Sequence, residues 1–135
     1  MNKIDVLLQF MPAGQRAVVH AGLRGEERQF FADKLSELTD RINAMPKTYE
    51  QDGLGNQAVA HLHYFKGSGD WYITERDIET PDEPGQHQAF GLADLGHGAE
   101  LGYISIVELV RNGVELDFHF TPCTIGELKQ TRQAA

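Results

Sequence analysis

Between residues 26 and 45 the apolar positions Phe31, Leu35, Leu38, Ile42 and Met45 recur at steps of four, three, four and three. That spacing lines one face of a helix, so a long amphipathic helix is predicted from Glu26 to Met45. Gly25 is its expected N-cap, Glu26 and Glu27 set negative charge at the positive end of the helix dipole, and Pro46 forbids continuation. Upstream, Ile4, Leu7, Leu8 and Met11 share helical spacing before Pro12, as do Ala17, Val18 and Ala21 after it. Two short helical pieces are predicted there.

The polar connection "MPKTYEQDGLGNQ" (45–57) precedes a change of period. "AVAHLHYF" (58–65) and "DWYITER" (70–76) are rich in β-formers, and the "KGSG" around their junction supplies turn residues, which together predict a β-hairpin. "TPDEPGQH" (80–87) reads as a loop and "QAFGLADL" (88–95) as a third strand. The glycines of "LGHG" (95–98) end that strand in a loop, and Gly102 returns the chain. Ser105 and Glu108 have the spacing of a capping box, with Ile104 and Leu109 as its staple, and Asn112-Gly113 is the stop signal of that helix. "VELDFHF" (114–120) alternates strictly and predicts a half-buried strand, while Thr124 and Glu127 repeat the capping box for a short final helix before a frayed "QTRQAA" tail. The expected fold class is α+β: about four strands in a mainly antiparallel sheet, with the long amphipathic N-terminal helix and shorter helices packed on one face.

At 135 residues the expected organisation is a single domain over 1–135, helical in 1–50 and sheet-bearing in 57–128. A hydrophobic fraction of 41% with 24% charged residues is that of a soluble globular chain. The single cysteine, Cys123, has no partner for an internal disulfide, which together with the short, Pro12-interrupted apolar run at the start predicts a cytoplasmic protein without membrane span. Net charge is −8, and its location is uneven: residues 1–50 hold seven acids and seven bases, 51–135 thirteen acids and five bases. Such a surface repels phosphate, so direct nucleic-acid binding is not expected, and a protein partner is.

Six histidines among many acids raise a metal or acid–base reading. His61 and His63 stand two apart on a predicted strand, as do Asp117 and His119 on the last one, so each pair shares a face. The four are candidate metal ligands if the first and last strands are neighbours; the plain alternative is polar residues on an open sheet face. Asp94, His97 and Glu100 form a candidate functional loop, spaced by three through the glycines. For Asp94 the structural alternative is a carboxylate that accepts backbone N–H groups and fixes the turn. Trp71 and Tyr72 are candidate binding aromatics, with burial of Trp71 and Ile73 beneath the long helix as the alternative. Cys123 reads as an ordinary thiol. The phosphate-loop, dinucleotide, serine-hydrolase and zincin motifs are absent, and no cofactor is expected.

The ordered set "HYF…DWYITE…QAFGLADLGHG-AELGYISIVEL…VELDFHFTP" resembles the domain of unknown function 2958 family, over roughly 57–128 and back to about residue 30. The resemblance carries no catalytic residue. It implies an accessory protein of bacterial mobile elements, plasmids and phages. With the charge, it supports a small acidic protein-binding module, monomer or homodimer, including counter-defence inhibition of a DNA-acting host protein. The alternative is a small metal-assisted hydrolase or nuclease that uses His61, His63, Asp94, His97, Asp117 and His119. A third expectation is docking through the Phe31 to Met45 stripe.

Overall fold

The computed structural model describes residues 5–134. Three helices come first: α1 (Asp5–Leu8), α2 (Ala13–Gly22) and α3 (Arg28–Ala44). The N-terminal helix is therefore short, a single turn, and the 17-residue helix stands third. Helix α3 begins after Glu27, two residues later than a Gly25 cap would place it, and ends before Met45 and Pro46 as expected. Ile4 lies outside the described residues.

Seven strands follow: β1 (Val59–Ala60), β2 (Leu62–Lys66), β3 (Gly69–Glu75), β4 (Ala89–Asp94), β5 (Ala99–Ile104), β6 (Glu115–Leu116) and β7 (Cys123–Thr124). Helix α4 (Ile106–Arg111) precedes β6, and α5 (Ile125–Ala134) follows β7. The main sheet has five antiparallel strands in the order β5-β4-β3-β2-β6, one more than the sequence predicts, and β1 pairs separately with β7. The added strand is β5, whose "AELGYI" carries Gly102 and reads locally as a turn. Conversely, "VELDFHF" pairs only at Glu115 and Leu116 before the chain turns. The expected frayed tail is helical as far as Ala134.

Strand alternation sorts the core. Leu62, Tyr64, Ile73, Ala89, Ile104 and Leu116 bury one sheet face against Leu7, Phe10, Val19, Leu35, Leu38 and Ile42 of the N-terminal part and Ile106 and Leu109 of α4. Tyr72 and Leu92 on the other face meet Ile125 and Leu128 of α5. Helices thus cover both faces, not one, because the β1–β7 pair carries the start of α5 across to the second face. The expected local signals operate within this frame. The Ser105 hydroxyl accepts from the Glu108 N–H at 3.2 Å, Thr124 does the same for Glu127 at 3.1 Å, and Gly113 adopts φ +74° just past α4.

Long-range polar ties, among them those of Tyr64, Gln15 and Gln51, hold the layers. The Tyr64 hydroxyl, fully buried, donates to the Phe10 carbonyl at 2.5 Å. Gln15 of α2 donates to the Leu116 carbonyl at 2.7 Å and accepts from the Leu116 N–H at 2.9 Å, so its side-chain amide pairs with the outer edge of β6. Gln51 accepts from Val59 N–H and donates to the Val59 and Thr74 carbonyls, which pins the 48–52 turn between β1 and β3.

Candidate functional site

The glycine stretch after β4 is turn architecture. Asp94 Oδ1 accepts from Gly96 N–H at 2.8 Å, the structural role weighed for it above. Gly96 and Gly98 take φ of +96° and +106°, and His97 sits exposed between them. Asp94 pairs with Ala99 and Ala93 with Glu100, so Asp94 and Glu100 leave opposite faces of the sheet and the predicted trio does not converge. Trp71 and Tyr72 are likewise split by alternation: Trp71 packs against the helix-side core, and Tyr72 is buried on the other face. They form no shared platform.

The histidine pairs are brought together in part. Because β2 lies between β3 and β6, His63 faces both Asp70 and Asp117, with Nε2 at 2.8 Å from Asp70 Oδ1 and Nδ1 at 2.9 Å from Asp117 Oδ2. The ring stacks on Tyr72 with centroids 4.5 Å apart and planes within 10°. Both nitrogens are engaged by carboxylates, so the ring works as a clamp between β3 and the segment that follows β6. His61 is half-buried; desolvation and then the Arg41 guanidinium lower its pKa, and a neighbouring cation also opposes metal binding there. His119 is exposed and gives its backbone N–H to Asp117 Oδ1. Among the described residues no group of three or more His, Cys, Asp or Glu is placed to hold a metal ion. Burial, then the Glu127 carboxylate, raises the Cys123 thiol, which stays an ordinary thiol.

A cleft of about 430 Å³ opens elsewhere, on the α5 side of the sheet at its β4–β5 end, lined by Tyr49, Asp52, Glu75, Phe90, Leu101 and Tyr103 among others. Its construction starts at a β-bulge. Register shifts between Ile73 and Glu75, so that Glu75 stands opposite Phe90. Regular alternation would send Glu75 to the face of Trp71 and Ile73, beneath the helices; the bulge turns it into the cleft. There Glu75 is only 4% exposed, and its carboxylate accepts from the Tyr49 backbone N–H. That contact holds Tyr49 at φ +79°, a sparsely populated conformation for a side chain of this size.

The Tyr49 hydroxyl lies 2.5 Å from the Tyr103 hydroxyl, and the two rings meet edge to face with centroids 6.5 Å apart. Phe90 packs on Tyr103 at 5.6 Å, also nearly perpendicular. Tyr49, Tyr103 and Leu101 remain 63%, 58% and 43% exposed. Desolvation first, opposed by hydrogen bonds from the turn and reinforced by Asp52, pushes the Glu75 pKa up. The hydrogen bond with Tyr49, with further contributions from Asp52 and Glu75, raises the Tyr103 phenol. Among the described residues no Lys, Arg or His forms an ion pair with Glu75 or Asp52. The cleft is apolar and aromatic at its rim, and the Glu75 carboxylate at its base is held by hydrogen bonds from the turn with no paired cation among the described residues, a form suited to binding.

None of these cleft residues stood among the candidates read from sequence. The one available signal was Glu75 itself, a charge at a position that strand alternation directs into the core. A model of the family described as "Protein of unknown function (DUF2958)" matches residues 32–125, which takes in the whole cleft. No curated protein and no solved structure matches the chain.

Proposed function

The chain belongs to the DUF2958 family, whose description assigns no activity, and from that premise we propose that it works as a protein-binding module that seats its partner in the Tyr49–Tyr103 cleft. The observation that carries this reading is the concentration of exposed Tyr49, Leu101 and Tyr103 around one cleft beside β5, an edge strand. Exposed apolar groups gathered in a concavity mark binding surfaces, and an edge strand offers a row of backbone groups to an extended segment. The resemblance to proteins of plasmids and phages and the net charge of −8 support an accessory role in the cytoplasm of a host cell, including inhibition of a DNA-acting host protein. Nothing in the His63 clamp favours the hydrolase alternative, since His61, His97 and His119 do not join it.

The test is affinity capture by the tagged chain from its host, with Leu101→Asp and Tyr103→Ala beside a Val18→Asp control on the exposed surface of α2. The reading expects a stoichiometric partner that both cleft variants lose and the control retains. A partner kept by the cleft variants overturns the assignment of the cleft, and absence of any partner overturns the module.

A further inference from the structure

We propose that the cleft recognises a cationic side chain, a lysine ammonium or arginine guanidinium within an extended basic segment of the partner, held against the Tyr49 and Tyr103 rings with Glu75 and Asp52 as its counter-charges. This rests on the docking reading above and names its chemistry. Three features of the cleft lead to it.

The first is the bulge. Three strand residues, Ile73, Thr74 and Glu75, are rearranged so that a carboxylate enters a concavity walled by Tyr49, Phe90, Leu101 and Tyr103, where its burial disfavours the charged form. An apolar plug in the cleft would cover the exposed Asp52 carboxylate and leave both it and Glu75 without a counter-charge, whereas a cation compensates them. The second is the sign of the surroundings. Asp52 lines the same cleft, and the charges that act on Glu75 and Tyr103 are negative ones. Phosphate and carboxylate ligands are repelled, which separates a basic segment from a nucleotide. The third is the aromatic lining. Tyr and Phe faces attract ammonium and guanidinium groups through the ring quadrupole, and the exposed surface of Tyr49 and Tyr103 leaves that attraction unused. Tyr49 is pre-set for the purpose: Glu75, Gln51 and Thr48, which donates to the Arg76 and Gln88 carbonyls, hold its turn in place before any ligand arrives. A volume of about 430 Å³ accommodates one such side chain and its flanking backbone.

The experiment is an NMR titration of the full ¹⁵N-labelled chain with three nine-residue peptides: lysine-containing, the same peptide with each lysine acetylated, and a glutamate-containing counterpart. The lysine peptide is expected to give saturable shifts at the amides of Tyr49, Glu75 and Tyr103. Acetylation, Tyr103→Ala and Asp52→Asn are each expected to weaken binding by about tenfold. Glu75→Gln, which keeps an acceptor for the Tyr49 N–H, is expected to do the same; Asp52→Asn keeps the test decisive if Glu75→Gln disturbs the turn. Equal binding of the acetylated or acidic peptide overturns the cation assignment, as does lysine-peptide binding that Tyr103→Ala leaves unchanged. Loss of partner capture in the cleft variants alongside failure of charge discrimination removes this inference and leaves the docking reading standing. Charge-dependent peptide binding with partner capture unchanged in those variants does the reverse.

Discussion

Gly91 and Gly102 face each other across β4 and β5, and the structure assigns them opposite sensitivities to one added methyl group. A Cβ on Gly91 would lie 1.9 Å from the Tyr72 carbonyl oxygen, 2.9 Å from its carbon and 3.0 Å from the Ile73 Cα. All three are backbone atoms, so no rotamer change relieves the contact. To bring 1.9 Å up to 3.0 Å, β3 and β4 must separate by at least 1.1 Å, which breaks the adjoining ladder hydrogen bonds. Two lost rungs at about 1 kcal/mol each, added to an overpacking cost of about 1–3 kcal/mol, give about 3–5 kcal/mol for Gly91→Ala. Against a typical stability of about 5–15 kcal/mol that is a large fraction. At Gly102 a Cβ meets nothing within 4 Å and the backbone φ is one that any residue adopts. Gly102→Ala is expected to stabilise by about 0.4–1 kcal/mol through the unfolded chain. Urea unfolding followed by fluorescence of Trp71, the one tryptophan, measures both. A Gly91→Ala variant within about 1 kcal/mol of the parent, or a Gly102→Ala variant as damaged as Gly91→Ala, refutes the reasoning.

Tyr64→Phe removes the donor to the buried Phe10 carbonyl and is expected to cost about 1–3 kcal/mol, read from denaturant midpoints. His61 has a lowered pKa in the folded chain, so the unfolded chain binds more protons as pH falls through about 6.5 and stability drops there; His61→Gln is expected to flatten stability between pH 7.5 and 5.5. A parent with no loss of stability over that interval contradicts it. Asp70→Asn and Asp117→Asn each remove one carboxylate from His63, and the double variant is expected to lose less than the sum of the singles, because both act on one ring. Strict additivity in a double-mutant cycle would show that the clamp is not a unit.

What was legible in the sequence was local. The stripe from Phe31 to Met45, the Ser105 and Thr124 caps and the Asp94 turn all depend on residues within a few positions of one another, and each is found. Strand β5 was not legible, because as an edge strand it buries only Ile104 fully and leaves Leu101 and Tyr103 exposed, so no alternation betrays it. "VELDFHF" misled in the opposite sense: its alternation continues past the ladder, where Phe118 packs toward the helix-side core and Phe120 toward the α5 side across a turn. His63 and Asp117 were readable as same-face members of their strands, but their meeting needs β6 to return beside β2. The cleft depended on more distant events still. Tyr49 comes from a polar connection, Tyr103 from a segment that resembled a turn, and Glu75 reaches them only through a bulge that alternation cannot anticipate.

The Gln15 amide on β6 gives the main sheet an asymmetry with a consequence for assembly. One border already has a side chain in place of a neighbouring strand at Leu116, while among the described residues no strand pairs with the outer side of β5. Self-association through backbone pairing at β5 would spend the same border on both copies, by the two-fold arrangement that closes on itself. Growth would then stop at a pair. A head-to-tail fibre needs a donor border and an acceptor border on every subunit, and a glutamine from the second helix has already filled one of them.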